Sequence, residues 1–508
     1  MAADCVVSRP TSASVNRQTG HVGWNGVGPP SCEPATDLTR PLAVALTLGS
    51  FCPTSPASQV SHDTDQNRRI MPNKPTADRL SKSSQSAVFW LVRYLDRMID
   101  TRLGRLLAAM GGVVLEGPRA CGKASTGLQH ANSSLRLDSS PSAVELAELD
   151  PVGLLQGATP RLIDEWQLSP TLWNVIRHEI DSRGLSGQFI LSGSAAPPDD
   201  IRRHSGAGRF GRIRMRTMSL SESQRSSAEV SLHELNDHDH LSGVRSPLGY
   251  RDLAAEAVRG GWPALVHSSV ADAVEFNASY CNDITSTDLR LATGVRHDPV
   301  RVRRLLASLA RNVATEANVA NLTADVAADG RSIDRDTVRT YLDALASIFI
   351  FEEQPAWSVS LRSRSRLRSR PKLHLSDPAL ACAALQLSPQ RLANDPEYFG
   401  QVFESMVIRD LHAYLDTAGG HIFHYRDDTG LEIDAILEFV EGEWAAVEVK
   451  LGTRHIPEAE ANLLKLRDER VDTDRVGRPR FLAIITGTEY GYTLPSGVHI
   501  IPIGALTA

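Results

Sequence analysis

Val113-Val114-Leu115-Glu116-Gly117-Pro118-Arg119-Ala120-Cys121-Gly122-Lys123 is the stretch on which the fold turns. A short apolar run enters a loop bounded by glycines and closed by lysine. The spacing G-x-x-x-x-G-K lets successive backbone N–H groups cradle phosphate while a slim ammonium reaches the outer oxygens. The expected phosphate-binding residues are Gly117, Pro118, Arg119, Ala120, Cys121, Gly122, Lys123, Ala124 and Ser125. Only six of the 54 basic residues are lysine: Lys74, Lys82, Lys123, Lys372, Lys450 and Lys465. With so few, the motif is expected by chance on the order of 0.03 times in this chain. Arginine, used almost everywhere else, carries a planar fork that does not suit this loop.

The elements around the loop follow the order of a nucleoside-triphosphatase. Strands are predicted at Val113–Glu116, Leu135–Asp138, Arg161–Asp164 and Gln188–Leu191, with helical stretches at Ala143–Leu149 and Thr171–Asp181 between them. Strands alternating with helices imply a doubly wound parallel sheet that binds its ligand at the strand C-termini. The run Leu162-Ile163-Asp164-Glu165 ends there in two carboxylates. Asp164 is expected to hold Mg²⁺ and Glu165 to orient the attacking water. Ser194, after the fourth strand, is a candidate for sensing the γ-phosphate, with ordinary turn chemistry as the alternative. In the basic run from Arg202 to Arg212, Arg209 and Arg212 are candidate fingers toward phosphate in the same or a neighbouring subunit; a solvated basic loop is the other reading. One position departs from the pattern. The residue after the loop lysine is Ala124 rather than Ser or Thr, so a hydroxyl ligand for Mg²⁺ is missing. Ser125 follows, but one helical residue turns the side chain by about 100°.

Composition sets few limits. With 508 residues, 42% of them hydrophobic, two or three cores are expected. A net charge of −6 gives no global nucleic-acid signature, so such a partner needs a local basic patch. Six scattered cysteines without C-x-x-C argue against a disulfide framework and for a reducing, cytoplasmic setting. The apolar run Pro41–Phe51 is too short to span a bilayer, and no membrane partner is expected. Residues 1–86 are rich in Ser, Thr, Pro and Gly and read as a disordered or mis-assigned extension, with Met71 and Met98 as alternative starts.

The chain resembles prokaryotic AAA-like P-loop ATPases whose C-terminal half is a domain of unknown function with a restriction-endonuclease-like core. The likeness rests on Tyr94 to Arg102 leading into GPRACGK, LIDEWQ at 162–167, LSGSA at 191–195 and RHSGAGRFGRIRMRTMSLSE at 203–222. It continues through GGWPAL at 260–265, HLSDPALA at 374–381 and the segment 400–451. The resemblance implies an AAA-like core with ATP as cofactor. The division expected is an ATP-binding core at 87–225, a helical linker at 226–289, a winged-helix segment at 290–356 and a restriction-endonuclease-like α/β domain at 357–508.

The later segments carry their own motifs. Helical spacing over Val300–Asn312, Val319–Ala327 and Asp336–Ser347, with Ser332 as cap and a strand at Ile348–Phe351, reads as a winged helix. Its third helix presents Arg335, Thr337 and Arg339 to DNA, or the module contacts protein instead. Arg362, Arg364, Arg366, Arg368 and Arg370 would line one face of an extended strand, a basic ridge about 30 Å long. A solvated sheet edge is the alternative. Near the end, Glu404 on a helix, Asp434 on the strand Leu431–Phe439, and Glu448 and Lys450 on the strand Trp444–Leu451 follow the order of a restriction-type nuclease site. Glu404, Asp434 and Glu448 are the expected metal ligands and Lys450 the group that polarises water. Three functions stay open: an ATP-binding protein of the AAA-like class, using Mg²⁺, that couples nucleotide to a DNA or protein partner, with a homo-oligomer compatible; a nucleotide-gated, metal-dependent DNA nuclease; and a non-enzymatic regulator with ATP as a structural ligand.

Overall fold

A computed structural model describes residues 94–139, 141–194, 206–236, 239–294, 297–327, 333–358 and 370–508. The expectations for residues 1–86, for the start at Met71, for Arg202 and its neighbours to Ser205, for Ser332 and for Arg362, Arg364, Arg366 and Arg368 lie outside these residues.

Five strands, β1 (Gly112–Glu116), β2 (Ser133–Arg136), β3 (Arg161–Asp164), β4 (Phe189–Gly193) and β5 (Phe210–Arg214), form one parallel sheet in the order β2-β3-β4-β1-β5. Successive residues of β1 point to opposite faces. Val113 and Leu115 therefore join Leu103, Leu107, Leu162 and Ile190 under the helix Asp100–Ala109. Val114 joins Trp166, Trp173, Ile176 and Leu191 under the helix Leu172–Arg183. Helices on both faces make this a P-loop α/β fold, as expected. The second strand ends two residues earlier than predicted, because Leu137 turns into the core in a short helical turn, and it starts two residues earlier as well.

In the middle of the chain some element bounds differ from those expected. Helices Pro299–Arg311, Val319–Val326 and Arg335–Ser347 pack Leu305, Leu309, Leu322, Val338 and Leu345 into one core. The third helix is capped by Asp334, whose carboxylate accepts the Thr337 N–H at 2.7 Å. Phe349 adopts a left-handed conformation with φ 61°, so the following strand, β8 (Phe351–Gln354), begins three residues later than predicted. Its antiparallel partner is β9 (Lys372–Leu375), which the sequence reading assigns to the C-terminal domain.

The expected helical linker is only partly helical. It contributes β6 (Val230–Ser231) and β7 (Val244–Arg245), both paired with strands from the far end of the chain. A mixed sheet of β10 (His421–Arg426), β11 (Glu432–Glu438), β12 (Trp444–Lys450), β13 (Leu482–Thr486), β14 (Tyr490–Thr493) and β15 (His499–Pro502) runs in the order β10-β11-β12-β13-β15-β14-β7. The last strand, β16 (Leu506–Thr507), pairs with β6. The helix Pro396–Asp416 covers one face through Phe399, Phe403, Met406 and Leu411. The helix Ile456–Lys465 covers the other through Ile456 and Leu463. Among the described residues no helix is long and apolar enough to cross a membrane, and Cys121, Cys281 and Cys382 are free thiols.

Candidate functional site

The loop after β1 is built from backbone that only certain residues tolerate. Gly117 has φ 152°, and a Cβ there would meet the Met215 carbonyl oxygen at 2.2 Å. Gly122, at φ 100°, leads into the helix Lys123–His130. The Lys123 ammonium donates to the carbonyls of Gly117 (2.9 Å) and Pro118 (2.7 Å), so its side chain folds back over the loop. Ser125 is exposed, and Thr126 is buried against the Tyr94 hydroxyl at 2.9 Å. Neither hydroxyl takes the place that Ala124 leaves empty of one.

Because the strands are parallel, the C-terminal ends of β1, β3 and β4 share one edge with the loop. Asp164 is buried there and accepts the Ser192 hydroxyl at 2.5 Å, with Arg136 at 3.6 Å. Glu165, at φ 54°, accepts the Ser194 hydroxyl at 3.2 Å and pairs with the Gln167 amide. The structure thus brings Asp164, Glu165 and Ser194 together and adds Ser192 and Gln167, both present in the quoted LIDEWQ and LSGSA runs.

Arg209 is not among them. The Gly112 N–H donates to its carbonyl at 3.0 Å, which places it at the N-terminal edge of the sheet, opposite the loop. Its guanidinium pairs with Asp181 at 2.9 Å. Arg212 lies in mid-strand, pairing with Glu116 and lying over the Trp173 ring at 5.5 Å. Sequence position alone cannot tell which end of a strand a basic loop serves.

Two arginines brace the loop. Arg97 is buried and donates to the Cys121 carbonyl (2.8 Å), the Arg216 carbonyl (2.9 Å) and the Glu222 carboxylate (3.0 Å). Burial opposes its charge, but Glu222 holds the guanidinium's pKa above its ordinary value. Arg119, within the loop, pairs with Asp288, and its carbonyl accepts the Tyr280 hydroxyl at 3.1 Å. The loop is thereby tied to the helix Val270–Asp283 and the wide turn after it. Arg216, just past β5, joins Glu352 at 2.8 Å and Asp416 at 2.6 Å, one residue from each later part of the chain.

On the C-terminal sheet the four predicted side chains do meet, with one more. Lys372 of β9 donates to Glu404 at 2.7 Å and to Asp434 at 3.2 Å. Lys450 lies 3.3 Å from Asp434 and 2.6 Å from Glu448. The Val449 N–H donates to Asp434 at 2.9 Å, and the Asn462 amide reaches Glu448 at 3.4 Å. Burial would raise the Asp434 carboxyl, but the two ammoniums hold it well below the usual range. Three acids against two bases leave one excess negative charge, and burial with the neighbouring Asp434 pushes Glu404 up to about 7. The spacing of Lys372 from these acids, 32 and 62 residues, gave sequence reading nothing to find.

Beside this cluster His374 is buried between Ser405 (3.2 Å) and the Gln354 amide oxygen (3.0 Å). Burial, aided by the Lys372 charge, lowers its pKa to about 3. The unfolded chain therefore takes up this proton first as pH falls below about 6.5, and stability present above that value is lost between there and about 3. Thermal unfolding should show a loss of roughly 2 kcal/mol from this group between pH 6.5 and 5. His374→Gln should flatten that slope; an unchanged slope would mean the histidine is charged in the folded protein.

The parallel sheet and the loop define a P-loop domain of the AAA-like class. Residues 111–224 match the family described as AAA domain. Residues 250–391 and 399–506 match two families described as domains of unknown function, DUF8612 and DUF4143. Uncharacterized proteins of Mycobacterium bovis and Mycobacterium tuberculosis are each 26% identical over 392 residues, covering 75% of this chain and 79% of theirs. Among solved structures, a Walker-type ATPase of Pyrococcus abyssi aligns with TM-score 0.37 at 14% identity, over 57% of this chain and 96% of its own. A FIGL-1 AAA domain in complex with ADP aligns with TM-score 0.20 at 14% identity, over 53% and 88%.

Proposed function

We propose that the chain is an ATP-binding protein of the AAA-like class that passes its nucleotide state to a DNA or protein partner through its later domains. The observation that carries this is the loop itself, whose opening turn at Gly117 packs against the Met215 carbonyl too closely for a Cβ, placed on one sheet edge with Asp164 and Glu165. The backbone N–H groups from Arg119 to Ala124 and the Lys123 ammonium would hold the phosphates. Asp164 would hold Mg²⁺, which screens phosphate charge, while Glu165, which accepts from Ser194, would orient water. Arg119 with Asp288, and Arg216 with Glu352 and Asp416, support coupling to the rest of the chain.

The restriction-endonuclease-like reading of the C-terminal fold is supported by the helix carrying Glu404 and the adjacent strands carrying Asp434, Glu448 and Lys450. The winged-helix reading is supported by three packed helices and the β8–β9 pair. On its third helix Arg335 is exposed, but the Thr337 hydroxyl is spent on Asp334 at 2.9 Å and Arg339 pairs with Asp336 at 2.9 Å. That face carries both signs of charge, so a protein partner suits it as well as DNA. Arg209, exposed at the far edge of the sheet, could serve only a neighbouring copy.

ATP binding and turnover, each measured with and without duplex DNA, test the proposal. Binding without turnover would favour ATP as a structural ligand, and no binding would end the reading. Ala124→Thr restores the hydroxyl ligand for Mg²⁺ and should raise turnover about tenfold, equivalent to about 1.4 kcal/mol of barrier. No gain would mean that another group already fills the position or that the core does not hydrolyse ATP.

A further inference from the structure

The acids and bases of the C-terminal cluster alternate in a single file: Glu404, Lys372, Asp434, Lys450, Glu448. Each ammonium sits between two carboxylates, and each carboxylate touches at least one ammonium. The Lys372 side chain is 5% exposed and those of Glu404 and Asp434 15% and 12%, so the contact is not a surface accident. A divalent ion shared by Glu404 and Asp434 would need the space between them, and that space holds the Lys372 ammonium. Consistently, among the described residues no three His, Cys, Asp or Glu side chains are grouped so as to hold a metal ion.

Residue choice points the same way. In a chain that uses arginine almost throughout, two of the six lysines stand in this one cluster. An ammonium is a compact point charge with three donors in a tetrahedral array, whereas a guanidinium is a flat fork. Only the first can replace a small cation among carboxylates at 2.7 and 3.2 Å. Lys372 also comes from β9, which pairs with β8, so its ammonium fastens the middle segment to the C-terminal sheet. The Gln354 amide adds to the same seam, donating to the carbonyls of Phe423 (3.1 Å) and Asp434 (2.8 Å).

We propose that Lys372 is the resident cation of this cluster: its ammonium fills the position a divalent ion would take, so the C-terminal domain is a metal-free binding fold clamped to the middle segment rather than a nuclease. The nuclease ligand set Glu404, Asp434 and Glu448 therefore does not fit a metal as folded. This inference stands on the C-terminal cluster alone and is independent of ATP binding.

The test is Mn²⁺ binding by the full chain without nucleotide, followed by the electron spin resonance of free Mn²⁺ and by thermal unfolding. The wild type is expected to show no Mn²⁺ site that Asp434→Asn removes; such a site would overturn the proposal. Lys372→Met keeps the stem and removes the charge. It should gain one Mn²⁺ site at least ten times tighter than any in the wild type, lost again in Lys372→Met with Glu404→Gln. A folded Lys372→Met protein that gains no site would overturn the proposal. Should removal of the charge weaken folding, Mn²⁺ is expected to raise the melting temperature of Lys372→Met but not of the wild type. A Lys372→Met protein indifferent to Mn²⁺ in that measurement also overturns the assignment.

Discussion

Replacing Lys123 with alanine is expected to abolish ATP binding. The side chain is buried and its ammonium folds back over the loop, held by the carbonyls of Gly117 and Pro118. Arg119, the other basic residue of the loop, is engaged with Asp288 and braces the neighbouring helix instead. A charge-assisted contact is worth roughly 1.5–3 kcal/mol, and Lys123 would make at least one to each of two phosphates. Affinity should fall by about 100-fold or more, as measured by calorimetry or a fluorescent ATP analogue. Micromolar binding retained by the mutant would remove the site from this loop.

The second large effect is expected at Arg97, far less visible in sequence. Arg97→Met leaves the Glu222 carboxylate buried without its counter-charge, although Glu222 still accepts the N–H groups of Met98 and Ser219 at 2.8 Å. It also frees the Cys121 carbonyl inside the phosphate loop. Breaking one side of a buried pair costs about 3–5 kcal/mol. The melting temperature should drop accordingly, and ATP affinity should fall with it because the loop loses its brace. Adding Glu222→Gln should recover part of the stability by removing the stranded charge. A loss below about 1 kcal/mol would mean that water reaches Glu222 in the variant.

What could be read in advance divides by how local the signal is. The strand Val113–Glu116, the loop and the carboxylates at Asp164 and Glu165 are each encoded within a dozen residues, and the structure assembles them on one edge. The group Glu404, Asp434, Glu448 and Lys450 was legible as a set because its members sit on long, regular elements. Arg97 and Glu222 lie 125 residues apart, and no pattern along the chain announces that they meet. Lys372 is hidden for the same reason, and on our proposal it changes the chemistry that the other four suggest. The strands β6 and β7 are two residues each, too short to show any alternation. The edge at which Arg209 stands is not legible, because a basic loop after a strand looks the same in sequence whichever edge it serves.

The pairing of those two short strands bears on how the molecule is made. β7 meets β14 through residues 245 positions apart, and the Ser231 hydroxyl of β6 reaches the carbonyl of Ala508 across 277. During synthesis, Val230, Leu232 and Val244 therefore emerge long before the residues that will cover them. The phosphate-binding core, whose strands all lie between Gly112 and Arg214, can close while the ribosome is still working on the rest. The C-terminal layer cannot, since its edge is laid down first and its centre last. Such widely separated partners slow the search for native pairing. Folding of this chain is therefore expected to start at the parallel sheet and to end in a late closure, in which residues made later return to seal apolar surface exposed since the first half was made.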